Sequence, residues 1–237
     1  MRRRAILVVA LAVATRAWAV DSLYERECAF CHGRAGRGDG PAASHLRIAP
    51  ADFSAGNFKL RSTPSGAMPT DDDLFGTITR GIPGSGMPSF ATLNEEERRS
   101  LVRSVKRLSR PRRGGESYFT SRASGPVITV PERPPTNEAV VAKGAKLYRE
   151  LACASCHGDQ GRGDGRSAPE LKDYAGRPIS PTNFTLGVFL GGADPRQLYL
   201  RLATGVNGTP MAEYGDDVIR PEDRWALVEY LLSLVGR

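Results

Sequence analysis

Long apolar runs are missing from this chain of 237 residues. Nowhere do roughly 18 apolar residues follow one another, which argues against a helical membrane domain. Apolar side chains are scarce in general, at 40% of residues with 7% aromatic, and the mean hydropathy is −0.33. A chain of this length suits two domains of about 100 residues each, and two cores would be lean on that supply. Something besides side chains is therefore expected to add apolar bulk. The 26 glycines and 17 prolines have no collagen-like period, and the composition argues against disorder.

A strong net charge is also missing once the N-terminus is set aside. Residues Met1–Ala19 read as a secretory leader: Arg2, Arg3 and Arg4, an apolar stretch from Ala5 to Ala14, and the small-residue cleavage site Ala17-Trp18-Ala19. Four of the 33 basic residues lie there with no acid, so the formal +7 falls to 29 basic against 26 acidic residues in the mature chain. Nucleic-acid binding loses its first requirement, a basic footprint. The expected location is periplasmic, after cleavage, with no transmembrane segment in the mature chain.

What the sequence does contain is a repeat. Cys28-Ala29-Phe30-Cys31-His32-Gly33 returns 125 residues later as Cys153-Ala154-Ser155-Cys156-His157-Gly158. At the same shift, Gly36-Arg37-Gly38-Asp39-Gly40 matches Gly161-Arg162-Gly163-Asp164-Gly165. After an insertion, Pro50-Ala51-Asp52-Phe53 matches Pro181-Thr182-Asn183-Phe184, and Leu74, Phe75, Ile78 and Gly81 match Leu198, Tyr199, Leu202 and Gly205. Two related domains follow, over residues 20–110 and 138–237. Each ends in a helical pattern. Leu101, Val105 and Leu108 mark the first, behind Glu95, Glu96 and Glu97; Pro221-Glu222-Asp223 opens the second, whose apolar arc is wide enough to pack on two sides. One of those sides is expected to meet the other domain. Residues 111–137, rich in Gly and Pro, read as an extended linker in which Val127–Val130 adds a short strand or lies against a domain.

Three chemistries compete for the four cysteines. Two disulfides suit an exported chain but do not explain a histidine after each pair. A zinc site built from both Cys-x-x-Cys knuckles also leaves the histidines over. Covalent haem attachment at Cys28, Cys31, Cys153 and Cys156 uses every residue. On a helical turn, cysteines at i and i+3 face the same way and can bond the two vinyl groups, and the histidine at i+4 lies on that face. His32 and His157 are thus the proximal iron ligands. The second ring nitrogen of each should donate to a backbone carbonyl, with Pro41 the candidate in the first domain and Arg166 or Pro169 in the second. The glycine-rich stretches let the backbone run close to a haem edge.

A thioether suits the opposite axial position. Met87 lies 55 residues after His32 and Met211 lies 54 after His157, each in a loop rich in Gly and Pro. Met68 has no counterpart in the repeat and reads as packing or surface, and His45 reads as an isolated loop histidine. With His and Met on each iron, both positions are taken and electron transfer becomes the expected function. Met ligation also raises the reduction potential.

These residues resemble the class I c-type cytochromes, duplicated as in two-haem periplasmic cytochromes. The most specific elements are the two attachment motifs, Gly81-Ile82-Pro83-Gly84-Ser85-Gly86-Met87-Pro88, and Gly205-Val206-Asn207-Gly208-Thr209-Pro210-Met211. The resemblance implies an all-α chain of two tandem domains, each a few helices wrapped around one covalently attached haem, which supplies the apolar bulk. It also implies that Tyr148 and Trp225 pack together where terminal helices cross, while the first domain has Arg99 and Ser100 near the place of Trp225 and packs more loosely. Arg61 and Arg177 read either as partners of haem propionates or as exposed surface. The implied partners are redox proteins, an electron donor and an acceptor, with a membrane-bound respiratory complex among the candidates. The alternative is a dihaem enzyme, a peroxidase or small-molecule dehydrogenase with one labile iron ligand. Arg99, Arg103, Lys106 and Arg110 line one helix face and read either as a docking stripe for an acidic partner or as a solvated face.

Overall fold

The computed structural model describes residues 21–111, 113–121 and 125–237, so the expected leader Met1–Ala19 lies outside the described residues. Among these the chain is helical, with no strand and two isolated bridges. Helices α1 (Ser22–Glu27), α2 (Ala29–His32), α3 (Asp71–Arg80) and α4 (Glu95–Leu108) come first, then α5 (Tyr118–Ser121). Helices α6 (Glu138–Glu150), α7 (Ala154–His157), α8 (Pro195–Thr204) and α9 (Pro221–Ser233) repeat the opening order. Among the described residues no helix is long and apolar enough to cross a membrane.

Local sequence explains the helix limits. Thr70 with Asp73 and Asn94 with Glu97 form reciprocal capping boxes at the starts of α3 and α4. Asp194 caps α8 with Pro195 at its first position, and Pro221 opens α9. Each half then closes over its own core. Leu23, Tyr24, Phe53, Met68, Leu74 and Leu101 lie at the centre of the first; Tyr148, Phe184, Tyr199, Trp225, Val228 and Leu231 lie at the centre of the second.

The helices that cross in each half are joined by different means. In the first, Asp21 caps α1 and also accepts from the Ser100 and Ser104 hydroxyls of α4, at 2.8 and 3.1 Å. Polar contacts thus stand where the second half has aromatic rings. In the second, α6 crosses α9 so closely that a Cβ on Gly144 would lie 2.0 Å from the Ala226 carbonyl oxygen. Tyr148 packs edge-on against Tyr230, with ring centroids 5.2 Å apart, and Trp225 packs on Tyr199 at 4.8 Å. The aromatic partner of Tyr148 is therefore Tyr230 and not Trp225. These residues lie five apart on α9, so they point in different directions.

Residues 111–137 include α5 and are stitched to both halves. The Tyr118 hydroxyl donates to the Ser54 carbonyl, and Phe119 meets Phe58 edge-on at 5.6 Å. The Ile128 N–H donates to the Ser62 carbonyl of the first half, while Ile128 and Val130 pack on the second core. Arg133 then forms a two-pronged ion pair with Glu229 of α9, at 2.6 and 2.8 Å. The wide apolar arc of α9 is covered by α6, α8 and this strap. Of the two readings of Val127–Val130, it is lying against a domain that the structure has.

Glu229 has only 4% of its side chain exposed. Removing its partner leaves a buried carboxylate without its strongest hydrogen bonds, which costs about 1–3 kcal/mol. Arg133→Ala is expected to lower the unfolding free energy by that amount in a denaturant titration. A change below about 0.5 kcal/mol would mean that water replaces the guanidinium freely.

Candidate functional site

Each attachment motif folds as one helical turn. The His32 N–H donates to the Cys28 carbonyl and the His157 N–H to the Cys153 carbonyl, both at 2.9 Å. That bond places the two cysteines and the histidine of a motif on one turn, as the i, i+3, i+4 spacing requires. No disulfide joins the four cysteines. Burial, with Glu27 and Cys31 adding to it, pushes the Cys28 thiol up to about 12, and burial raises Cys153 as well. Such thiols are neutral at pH 7 and poor thiolate ligands. Among the described residues no group of three or more His, Cys, Asp and Glu side chains gathers tightly enough to hold a metal ion, so the two knuckles do not form a joint zinc site.

The histidines are fixed in matching ways. His32 Nδ1 lies 3.1 Å from the Ala51 carbonyl oxygen, and His157 Nδ1 lies 3.1 Å from that of Thr182. A carbonyl only accepts, so Nδ1 carries the proton in both rings and the lone pair is left on Nε2. Burial pulls both imidazoles below the ordinary histidine range, against the opposite pull of those carbonyls. The rings are therefore neutral at pH 7, the state that binds iron.

Phe53 stacks on His32 at 4.9 Å and Phe184 on His157 at 4.4 Å, with Phe58 and Phe189 stacked behind them. The expected acceptors Pro41, Arg166 and Pro169 are not used. The acceptors come instead from the aligned segments Pro50–Phe53 and Pro181–Phe184. The glycine-rich stretches bring those segments in. Phe53 N–H donates to the Gly36 carbonyl and Phe184 N–H to that of Gly161, both at 2.7 Å. A Cβ on Gly38 or Gly163 would lie 2.7 Å from the carbonyl oxygen of Pro50 or Pro181. The close approach that these glycines permit is thus to the segment that orients the histidine.

Two tyrosines complete this support, and the sequence alignment passes over them. Tyr24 on α1 donates its hydroxyl to the Gly33 carbonyl at 2.9 Å, and Tyr148 on α6 donates to that of Gly158 at 2.7 Å. Both hydroxyls clamp the residue after the histidine. They stand four and five residues before the first cysteine, so a fixed shift of 125 does not align them.

The loops after α3 and α8 carry Met87 and Met211. Each methionine is half-buried and packs against the core of its own half. The Ile82 N–H donates to the Met87 carbonyl and the Val206 N–H to that of Met211, both at 3.1 Å. Gly81 and Gly205 start these loops at φ +69° and +61°, where a Cβ would lie 2.6 and 2.7 Å from those same carbonyl oxygens. The Ser85 and Thr209 hydroxyls, each two residues before its methionine, accept from the methionine N–H and donate to the Ile82 or Val206 carbonyl. That pair of hydroxyls is a further match the alignment did not single out.

The remaining candidates fall elsewhere. Met68 is 1% exposed inside the first core, and His45 is exposed on a single 3-10 turn. Arg177 pairs with Asp173 at 2.8 Å. Arg61 is fully buried and donates to the Pro64, Phe58 and Thr204 carbonyls, so it is not exposed surface. On α4, Arg99 pairs with Glu95, Arg103 with Glu96 and Lys106 with Asp71, which neutralises most of the basic stripe. It therefore reads as a solvated face.

Residues 141–235 match the family described as cytochrome c, and residues 16–103 match that described as cytochrome C oxidase, cbb3-type, subunit III. A chain of the Kuenenia stuttgartiensis reducing HAO-like protein complex Kustc0457/Kustc0458 is similar to this one at 40% identity and a TM-score of 0.84. The likeness covers 90% of this chain and 94% of that one. No curated protein matches.

Proposed function

The chain belongs to the class I c-type cytochromes, with cytochrome c domains in tandem, and on that premise we propose that it is a periplasmic dihaem protein that passes single electrons between redox partners. Haem c is bound covalently in this family, and when bound it supplies an iron that changes charge by one electron. The proposed count is two, one in residues 20–110 and one in residues 138–237, joined by 111–137. Cys28, Cys31, Cys153 and Cys156 would carry the thioethers. His32 and His157 would hold iron through Nε2, and Met87 and Met211 through sulfur.

The observation that carries this reading is the identical fixing of the two histidines, each with a protonated Nδ1 on a carbonyl, a phenyl ring stacked on one face and a tyrosine clamp behind it. The donor set fits the group: neutral imidazoles, two cysteines on each motif turn, and thioethers in loops tied by glycine and a hydroxyl. An iron held by both His and Met would favour outer-sphere electron transfer over substrate binding. The similar chain comes from a protein complex, which supports a role as an electron-transfer subunit alongside a larger redox partner. The leader Met1–Ala19 supports export.

The test is mass and optical spectroscopy on protein matured in a periplasm. Two haems per chain, an N-terminus at Val20 and low-spin iron in both oxidation states are expected. A single haem, or iron that takes up cyanide readily as isolated, would favour the dihaem enzyme instead.

A further inference from the structure

The two attachment motifs share one frame but meet solvent differently. In the first half α1 runs straight into α2, with Cys28 closing one helix and opening the next. In the second, one extra residue stands between the tyrosine and the first cysteine, and Ala152 absorbs it at φ +55°, where a side chain is disfavoured. Leu151, Ala152 and Cys153 then separate α6 from α7, and a cleft of about 710 Å³ lies beside that gap. Its walls include Arg149, Arg162 and Arg166. They also include Ala154 and Ser155, the two residues between the cysteines of the second motif.

All three arginines are exposed, and among the described residues none has an ion-pair partner. The dipole of α6 accounts for a cation at Arg149, in its last turn, but Arg162 and Arg166 lie outside any helix. Asp159 and Asp164 share the lining, yet neither comes within 4.0 Å of a cationic nitrogen. Asp164 belongs to the repeated frame. Its Oδ1 would lie 1.9 Å from a Cβ on Gly158, as Asp39 Oδ1 would lie 2.1 Å from one on Gly33. The difference between the halves is in the arginines. Counted from the tyrosine, Arg149 stands where the first half has Glu25, which pairs with Arg34 at 2.5 Å. At the shift of 125, Arg166 stands at Pro41 and Asp159 at Arg34. The first motif is thus bordered by a closed ion pair and the second by open cations. On α4, carboxylates already hold Arg99, Arg103 and Lys106, so that stripe attracts an acidic surface less.

We propose that this cleft docks a redox protein bearing a cluster of carboxylates, and that electrons enter or leave the chain at its second half. The proposal rests on the electron-carrier reading above and names a surface for it. Unpaired guanidinium groups steer a carboxylate cluster from a distance and grip it with paired hydrogen bonds on contact. The docked partner then lies against Ala154 and Ser155, between the residues that would carry the second pair of thioethers. One electron crosses per encounter: the donor loses it, the acceptor gains it, and no bond is made or broken.

The test uses the oxidised holoprotein, with haem content and spectra checked first, and a hexaglutamate peptide as the probe for a carboxylate cluster. The variant Arg149→Gln/Arg162→Gln/Arg166→Gln should bind that peptide about tenfold more weakly in a low-salt calorimetric titration. Iron(II)–EDTA, an anionic one-electron reductant, should reduce it about threefold to tenfold more slowly in stopped flow. Both differences should fade near 1 M salt, where charges are screened beyond about 3 Å. Arg99→Gln/Arg103→Gln/Lys106→Gln removes the same charge from α4 and should leave both readouts near those of the parent. Arg162→Gln/Arg166→Gln serves as the measurement if the triple cleft variant does not fold. Peptide binding that is absent from the wild type, survives in the cleft variant or falls as far in the α4 variant would overturn the proposal. So would inorganic phosphate that binds the cleft as tightly as the peptide does. A wild-type chain with one haem, or with iron open to cyanide, would instead overturn the carrier reading and this proposal with it.

Discussion

Met87→Ala should lower the potential of one haem by on the order of a hundred millivolts, within the roughly 0.8 V range that axial ligands command. It should also let that iron take up cyanide, while the other haem stays as it was. Met211→Ala should do the same to the other haem. The expectation follows from the paired loops. Each starts at a glycine with positive φ, returns an N–H to the methionine carbonyl and ties the methionine N–H to a hydroxyl two residues earlier. The loop is held by its backbone, so truncating the side chain removes the sulfur and leaves the frame. Met68→Ala is the control. That side chain fills the first core, and its loss should cost about 2–5 kcal/mol of stability with no new affinity for cyanide. If the Met68 variant opens an iron and the Met87 variant does not, the ligand assignment is wrong.

The largest effect on stability is expected at Gly144. A methyl group there would lie 2.0 Å from the Ala226 carbonyl oxygen and 2.7 Å from the Tyr230 Cβ. Alanine favours a helix over glycine by about 1 kcal/mol, but here α6 would have to move off α9. Overpacking of this kind typically costs 1–3 kcal/mol and occasionally more. Gly144→Ala should therefore lose about 2 kcal/mol or more in denaturant unfolding. The damage should reach the redox centre, because Tyr148, on the same helix, holds the carbonyl after His157. A variant as stable as the parent would mean that the two helices separate at little cost.

Much of this arrangement was legible in the residues, for reasons that can be stated. The motif Cys-x-x-Cys-His needs one helical turn, and a turn is a local object that spacing specifies. The methionine loops could be read because Gly81 and Gly205 stand at aligned positions and the distances from histidine agree to one residue. The acceptors for His32 and His157 were not legible, since a backbone carbonyl belongs to every residue and only the path of the chain aims it. Pro41 was the nearer candidate in sequence, yet the Gly36-to-Phe53 hydrogen bond delivers Ala51. The tyrosine clamp was hidden by a one-residue difference in spacing. Arg61 read equally as a partner of a haem propionate or as exposed surface, and nothing in the local pattern singled out Arg201. Their burial depends on two halves meeting, which no local pattern encodes. The covering of α9 was partly legible: Val127–Val130 read as adding a strand or lying against a domain, and Ile128 and Val130 lie against the second core as a wall.

That wall has a mechanical meaning. With Ile128 hydrogen-bonded to one half, Arg133 clasped by the other and apolar side chains wedged between, the connecting stretch has little slack to pay out. On the dihaem reading proposed above, the separation between the redox centres is then a built-in dimension of the molecule and not an average over tumbling. An electron that enters at one end need not wait for the halves to find each other, and solvent viscosity should leave its internal passage unchanged.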